Sequence, residues 1–117
     1  MSDIQRYDLN DRMSRVVIHN GVVYLSGITP KDVSGDIAAQ TQDVLNTIDG
    51  YLEQAGTNKS RLLTAQIWLA DIERDFGAMN QVWEKWVDKA NVPTRATCEA
   101  RLATSEILVE IIVTAAL

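Results

Sequence analysis

Cysteine and histidine are nearly absent from this chain of 117 residues, which contains one of each. A single cysteine excludes an internal disulfide and any zinc site built from several cysteines. A single histidine excludes most other transition-metal sites, and any catalytic triad that uses histidine must include His19. We therefore expect no metal centre.

Basic residues are also scarce, because 11 Lys and Arg stand against 16 Asp and Glu and leave a net charge of −5. An acidic surface repels phosphate backbones. The chain has no basic cluster to offset this repulsion, so we expect no nucleic-acid partner. No apolar run approaches the roughly 20 residues of a membrane helix, and the first residues lack the pattern of a secretory signal. These absences predict no membrane partner and a cytoplasmic location.

The composition is that of a chain able to build a core. Hydrophobic residues make up 46% and charged residues 23% of the sequence, which is typical of soluble globular proteins. The length suits one domain of ordinary size, and no linker or internal repeat interrupts the sequence. We therefore expect a single domain that spans residues 1–117.

Hydrophobic periodicity and turn residues predict five strands and two helices. The clearest signal is Asn20-Gly21 between two β-rich runs, because this dipeptide suits the positive φ angles of a type I′ hairpin turn. A short strand near residues 4–7 remains open. The predicted strands cover residues 15–19, 22–26, 61–69, 94–100 and 107–115, and the third of them has Leu63, Ala65, Ile67 and Leu69 on one side. The predicted helices run from Asp36 to Ala55, with Gly56 as the C-cap, and from Arg74 to Lys89. The apolar stripe of the second helix consists of Phe76, Met79, Trp83, Trp86 and Ala90.

This order of elements is typical of an α+β fold, with one mixed sheet and two helices. Two helices cover only one face of a sheet. The last predicted strand is nevertheless apolar at both alternating sets of positions, which indicates that both of its faces are at least partly buried. A second copy of the chain is the simplest cover for the other face. The pattern therefore predicts a homo-oligomer.

Arg95 is the first candidate for a functional residue. It lies in a predicted strand, and alternation points it to the same side as Thr97 and Glu99, with Cys98 on the other side. The planar guanidinium binds carboxylates with two parallel hydrogen bonds, so one interpretation is a clamp for a small organic acid. The alternative is a salt bridge to one of the 16 acidic residues.

Glu110 is the second candidate, because it interrupts the apolar final strand. Burial is costly for a carboxylate and raises its pKa towards the range of a general acid or base. The alternatives are a solvent-facing residue or a counter-ion for Arg95, since the two strands are joined by one short connection and the residues can be neighbours. Asn80 and Ser26 are further candidates, with solvation and a local turn hydrogen bond as their alternative roles.

Several segments together resemble the Rid/YjgF family, also called the RidA or endoribonuclease L-PSP family. The similarity extends from about Val16 to Ala115, and the stretches 16–21 and 95–98 look most like the YoaB-like branch. The other segments that carry the resemblance are Tyr24-Leu25-Ser26-Gly27, residues 65–71, residues 75–80, Val92-Pro93-Thr94-Arg95 and Val109-Glu110-Ile111.

The resemblance implies a chorismate-mutase-like α+β fold, with two helices on one face of the sheet, that forms a homotrimer with ligand sites between subunits. It implies hydrolysis of 2-imino acids to 2-keto acids and ammonia, with no cofactor. Arg95 matches the arginine that holds the substrate carboxylate, and Glu110 matches the glutamate that positions or activates water. Asn80 and Ser26 match positions that line the substrate site.

The sequence departs from the family pattern at a few positions near the implied site. Met13 lies where the family often has a tyrosine. Thr97 takes the position of a family cysteine, and Cys98 follows it, so we assign both to the substrate-binding set. Two other functions remain as alternatives: a non-catalytic protein that binds small carboxylates, and a ribonuclease or translation inhibitor.

Overall fold

Six β-strands and two α-helices make up the fold in the computed structural model, which describes residues 3–117. The strands form one mixed sheet in the order β1-β2-β3-β6-β4-β5. Only β4 and β5 pair in parallel. The elements are β1 (Gln5–Leu9), β2 (Ser14–His19), β3 (Val22–Leu25), α1 (Ile37–Ala55), β4 (Leu62–Leu69), α2 (Ile72–Trp86), β5 (Thr94–Glu99) and β6 (Val109–Ala116).

The hairpin between β2 and β3 has the predicted turn. Asn20 and Gly21 have φ angles of 52° and 76°, which is the pair of positive values that a type I′ turn requires. His19 pairs with Val22 across this turn. The short strand near the N-terminus also forms, and it pairs with β2 at the edge of the sheet.

Both helices begin at an aspartate cap. The Asp36 side chain accepts from the Ala39 N–H at the start of α1, and Gly56, with φ 90°, ends that helix in the left-handed conformation. α2 begins after Asp71, two residues before the predicted start at Arg74. It ends at Trp86 and not at Lys89, because the Asp88 carboxylate accepts the Ala90 N–H and favours a turn there.

One predicted orientation in β4 is wrong. Leu63 was expected on the same side of the strand as Ala65, Ile67 and Leu69, but it is 43% exposed whereas those three are buried. The register of β4 against β6 shifts between Leu62 and Thr64. This irregularity places Leu62 in the core and turns Leu63 outwards, since an extra residue in a strand reverses the alternation that precedes it.

The helices lie on one face of the sheet, as predicted. The core between the layers includes Val44 and Ile48 of α1, Ile67 of β4 and Ile111 of β6, all with no exposed surface. The other face, which we call the open face, carries no helix within residues 3–117. Its side chains include Val17, Tyr24, Trp68, Cys98, Glu110 and Ile112. Neither helix is long and apolar enough for a bilayer span.

Candidate active site

Arg95 lies on the side of the sheet that the helices cover. In the parallel pair of strands, Arg95 is opposite Ala65 and Thr97 is opposite Ile67. Ala65 and Ile67 are buried beneath the helices, and paired residues of neighbouring strands point to the same face. Arg95 and Thr97 therefore project towards α2 at the edge of the sheet, with the alternation expected from the sequence.

Two aromatic rings of α2 flank the Arg95 guanidinium. Its central carbon is 5.7 Å from the ring centroid of Trp83 and 6.0 Å from that of Phe76. Arg95 makes no ion pair within 4.0 Å in residues 3–117, so the predicted alternative of an internal salt bridge is wrong. Ring faces attract the cation without using its N–H groups. The donors of the fork are thus available for a ligand.

Partial burial affects the charge of Arg95 only slightly. Desolvation lowers the pKa of the guanidinium, and the negative charge of Glu84 opposes that effect. An arginine so shifted is still a cation at neutral pH. The group is therefore a fixed positive charge in a partly desolvated setting, where attraction to an anion is stronger than in water.

Two polar atoms beside Arg95 have no hydrogen-bond partner in the described chain. They are Asn80 Oδ1 and Thr97 Oγ1, and both are buried. Asn80 is one helical turn from both Phe76 and Trp83 on α2, so the three share a face. Buried polar atoms in folded proteins are nearly always paired. We call this group, Arg95 with Asn80, Thr97, Phe76 and Trp83, the arginine half-site.

Glu110 lies on the open face, in β6 opposite Trp68 of β4. Its carboxylate packs against the backbone of Gly27, so closely that a Cβ atom at Gly27 would overlap Glu110 Oε2. Only glycine permits this approach. Glu110 makes no ion pair within residues 3–117, and burial raises the pKa of its carboxyl above the ordinary value.

Ser26 completes this second group. Its Oγ atom is buried and, in the described chain, without a hydrogen-bond partner. The segment that follows is fixed to β6, because Ile28 and Ile111 exchange two backbone hydrogen bonds of 2.9 and 3.0 Å. We call Glu110 with Ser26 and Gly27 the glutamate half-site.

One chain does not bring the two half-sites together. β4 lies between β5 and β6, so the expectation that Arg95 and Glu110 are neighbours on adjacent strands is wrong. The strands are about 10 Å apart at the usual spacing, and the two side chains point to opposite faces. Cys98 is on the open face and exposed, separated from Glu110 by Trp68. Cys98 is therefore not part of the arginine half-site.

The cavities of the chain agree with two incomplete sites. A cavity of about 750 Å³ is lined by Ala70 and residues 99–105 and includes neither Arg95 nor Glu110. A smaller one of about 200 Å³ borders Gly27, Pro30 and Tyr51. No group of three potential metal ligands occurs in residues 3–117. Neither of these cavities joins the two half-sites.

Sequence reasoning did not identify three members of the half-sites as part of a site. Phe76 and Trp83 were placed in an apolar stripe of α2, but Phe76 is 41% exposed and stands beside Arg95 with Trp83. Gly27 was noted only as part of the segment Tyr24-Leu25-Ser26-Gly27, with no role assigned to it. Its role follows from contact with Glu110, which is 83 positions away and thus leaves no local signal.

The chain is similar to several known proteins along nearly its whole length. The family model described as Endoribonuclease L-PSP matches residues 4–117. A RutC family protein of Haemophilus ducreyi is 46% identical over 114 residues and covers 97% of both chains. The RutC family protein YoaB of Escherichia coli is 43% identical over 113 residues, again covering 97% of both.

Solved structures give the same result. The crystal structure of a YjgF family member from Neisseria meningitidis has a TM-score of 0.94 and 42% identity, covering 97% of this chain and 94% of that one. A protein from Pseudomonas aeruginosa also has a TM-score of 0.94, with 37% identity, and covers 97% of this chain and 98% of its own.

Proposed function

Because the chain belongs to the Rid/YjgF family, described as Endoribonuclease L-PSP, we propose that it is an enamine/imine deaminase. It hydrolyses reactive 2-imino acids to 2-keto acids and ammonia. Arg95 clamps the carboxylate, Glu110 positions and activates water, and Asn80, Thr97 and Ser26 line the site. The reaction uses no cofactor or metal, and the protein acts in the cytoplasm.

The observation that carries this proposal is the unpaired guanidinium of Arg95. A half-buried arginine with no acidic partner in residues 3–117 is suited to an anionic ligand. The two flanking rings orient its plane, and a planar fork matches a carboxylate in particular. The buried oxygen atoms of Asn80 and Thr97 can bond to the polar groups next to that carboxylate.

The chemistry requires one oriented water. Arg95 withdraws electron density from the carboxylate and holds the adjacent C=N carbon in place. Water attacks that carbon while Glu110 accepts one proton from the water, and Glu110 then returns this proton to the imine nitrogen. In the resulting carbinolamine the hydroxyl proton passes through Glu110 to the amino nitrogen, the C–N bond breaks, the hydroxyl oxygen becomes the ketone oxygen, and ammonia leaves. A carboxylate whose pKa is raised by burial is a stronger base for the first step.

A complete site needs two copies of the chain in this proposal. Arg95 and Glu110 face opposite sides of the sheet, so the arginine half-site of one protomer must meet the glutamate half-site of the next. Such a contact joins two different surfaces, and contacts of this kind form a closed ring where the rotation between neighbours closes. The apolar open face, with Tyr24 45% exposed, supplies the area to be buried. We infer a homotrimer.

The direct test measures decay of an imine made in situ. An amino-acid oxidase generates 2-iminobutanoate or 2-iminopropanoate, and the disappearance of the imine is followed with native protein and with Arg95→Ala. We expect faster decay only with native protein. Equal rates for both proteins would refute the role of Arg95. Keto-acid binding by native protein without any rate increase would favour a non-catalytic carboxylate-binding protein instead.

Mixing two inactive variants tests the shared site. In a mixed trimer of Arg95→Ala and Glu110→Gln subunits, some sites receive native Arg95 from one chain and native Glu110 from its neighbour. Random assembly of equal amounts gives about one quarter of such sites, so about a quarter of native activity should return. A mixture as inactive as its components, although native gel analysis shows mixed trimers, would exclude a site between chains.

A further inference from the structure

The side chain of Gln40 joins three segments of the chain within the protein interior. Gln40 is in the first turn of α1 and only 1% exposed. Its Nε2 donates to the carbonyl oxygen of Val33 at 3.1 Å and to that of Glu106 at 2.9 Å. Its Oε1 accepts from the Leu108 N–H at 2.8 Å. Both ends of the amide are thus used, as a buried amide requires.

The segments held by Gln40 lead to the two parts of the glutamate half-site. Leu108 is two residues before Glu110, and successive residues at that spacing share a strand face. Val33 belongs to the loop that begins with Gly27 and Ile28 and ends at α1. The loop and β6 meet again where Ile28 and Ile111 exchange hydrogen bonds. One amide therefore fixes both sides of the contact between Gly27 and Glu110.

We propose that Gln40 is a positioning residue for the proposed reaction, because it holds the Gly27 loop and the entry of β6 in the register that places the Glu110 carboxylate against Gly27. This inference rests on the proposed function for its catalytic part. Gln40 touches neither half-site directly. In the described chain no hydrogen bond of the Gln40 side chain goes to the arginine half-site on α2 and β5, so carboxylate binding should be independent of it.

Backbone hydrogen exchange tests the positioning without any activity measurement. Gln40→Met keeps the approximate length of the side chain and removes its hydrogen bonds, and Gln40→Asn keeps the amide on a chain too short to reach both segments. Gln42→Met is the matched control, since Gln42 is on the same helix and exposed, and its side chain bonds only to Asn46 among residues 3–117. We expect exchange at Leu108, Ile28 and Ile111 to accelerate roughly tenfold or more in both Gln40 variants.

Kinetics then test the link to the reaction. A Glu110 carboxylate that is held less firmly is less well aligned with the attacking water, so kcat should fall roughly 10- to 100-fold in the Gln40 variants. The affinity for a 2-keto acid should stay within about twofold, because Arg95 is unchanged. A merely structural role would lower kcat and the number of binding sites together, in proportion to the folded fraction. That fraction is measured by circular dichroism on the same samples.

Two results would overturn the proposal. One is faster exchange confined to Leu108, with Ile28 and Ile111 as protected as in the Gln42→Met control. The other is an unchanged kcat in a folded Gln40 variant. An inactive native protein would instead refute the proposed function, and the exchange measurement would still decide whether Gln40 holds the two segments together.

Discussion

Replacement of Arg95 by alanine should weaken ligand binding strongly and leave the fold almost intact. In residues 3–117 this arginine has no ion pair to lose, and its described contacts with aromatic residues are the rings of Phe76 and Trp83. A partly exposed cation–π contact contributes about 0.5–1 kcal/mol. The two together give a stability loss of about 1–2 kcal/mol, or roughly 4–8 °C in Tm for a chain of this size.

The expected effect on binding is much larger. A hydrogen bond to a charged group contributes about 1.5–3 kcal/mol, and a carboxylate held by the fork of Arg95 loses two of them. At about 1.4 kcal/mol for each factor of ten, the loss of about 3–6 kcal/mol should lower the affinity for a 2-keto acid roughly 100- to 10,000-fold. Arg95→Lys should be intermediate, because it keeps the charge but loses the planar fork.

Calorimetric titration with 2-oxobutanoate measures the binding, and thermal unfolding at one fixed chain concentration measures the stability. Arg101→Ala is the matched control, because Arg101 is exposed in the loop after β5 and should change neither quantity. Affinity of Arg95→Ala within about threefold of native protein would refute the clamp. A stability loss above about 4 kcal/mol, the size expected for a broken buried network, would show that the guanidinium holds the fold instead.

Two other substitutions follow from the glutamate half-site. Glu110→Gln should lower kcat about 100-fold or more with keto-acid affinity kept. Glu110→Gln should also stabilise the protein at neutral pH, because burial raises the pKa of Glu110 and so disfavours its charged form in the folded state. This gain in the free energy of unfolding should vanish as the pH falls below the ordinary glutamate pKa. A gain that persists in acid would contradict the reasoning. Gly27→Ala should displace the Glu110 carboxylate and reduce kcat without much loss of Tm. Its control, Gly50→Ala, adds a methyl group where nothing lies within 4 Å and should raise stability by about 0.5–1 kcal/mol with full activity. Equal activity in both alanine variants would show that the Gly27 contact is unimportant.

Local signals predicted much of this fold from the sequence. Asn20-Gly21 defines its turn through backbone preferences of two residues, and Asp36 and Gly56 define the ends of α1 in the same way. These features depend on neighbours in the chain. The orientation of Leu63 depends instead on a strand that is distant in the sequence, because a single shift of register against β6 reverses it. Nothing near Leu63 in the sequence records that shift.

The candidate site shows the same division between local and distant information. Alternation along β5 correctly placed Arg95 and Thr97 on one side of the strand, since it is a property of one strand. The distance from Arg95 to Glu110 depends on which strand lies between β5 and β6, and that is decided by the pairing of β6 with both β3 and β4. The short connection between β5 and β6 suggested that Arg95 and Glu110 are neighbours, but the strand pairing places the two residues apart.

This separation has a chemical consequence. If Arg95 and Glu110 were adjacent in one chain, each would neutralise the other: the carboxylate would have a lowered pKa, and the guanidinium would have its charge paired and two of its donors occupied. The sheet prevents this, so burial alone acts on Glu110 and Arg95 makes no ion pair in residues 3–117. In the proposed trimer the two charges meet only across the ligand. Each chain would then carry both functional groups without pairing their charges, and assembly into the trimer would bring them together in one site.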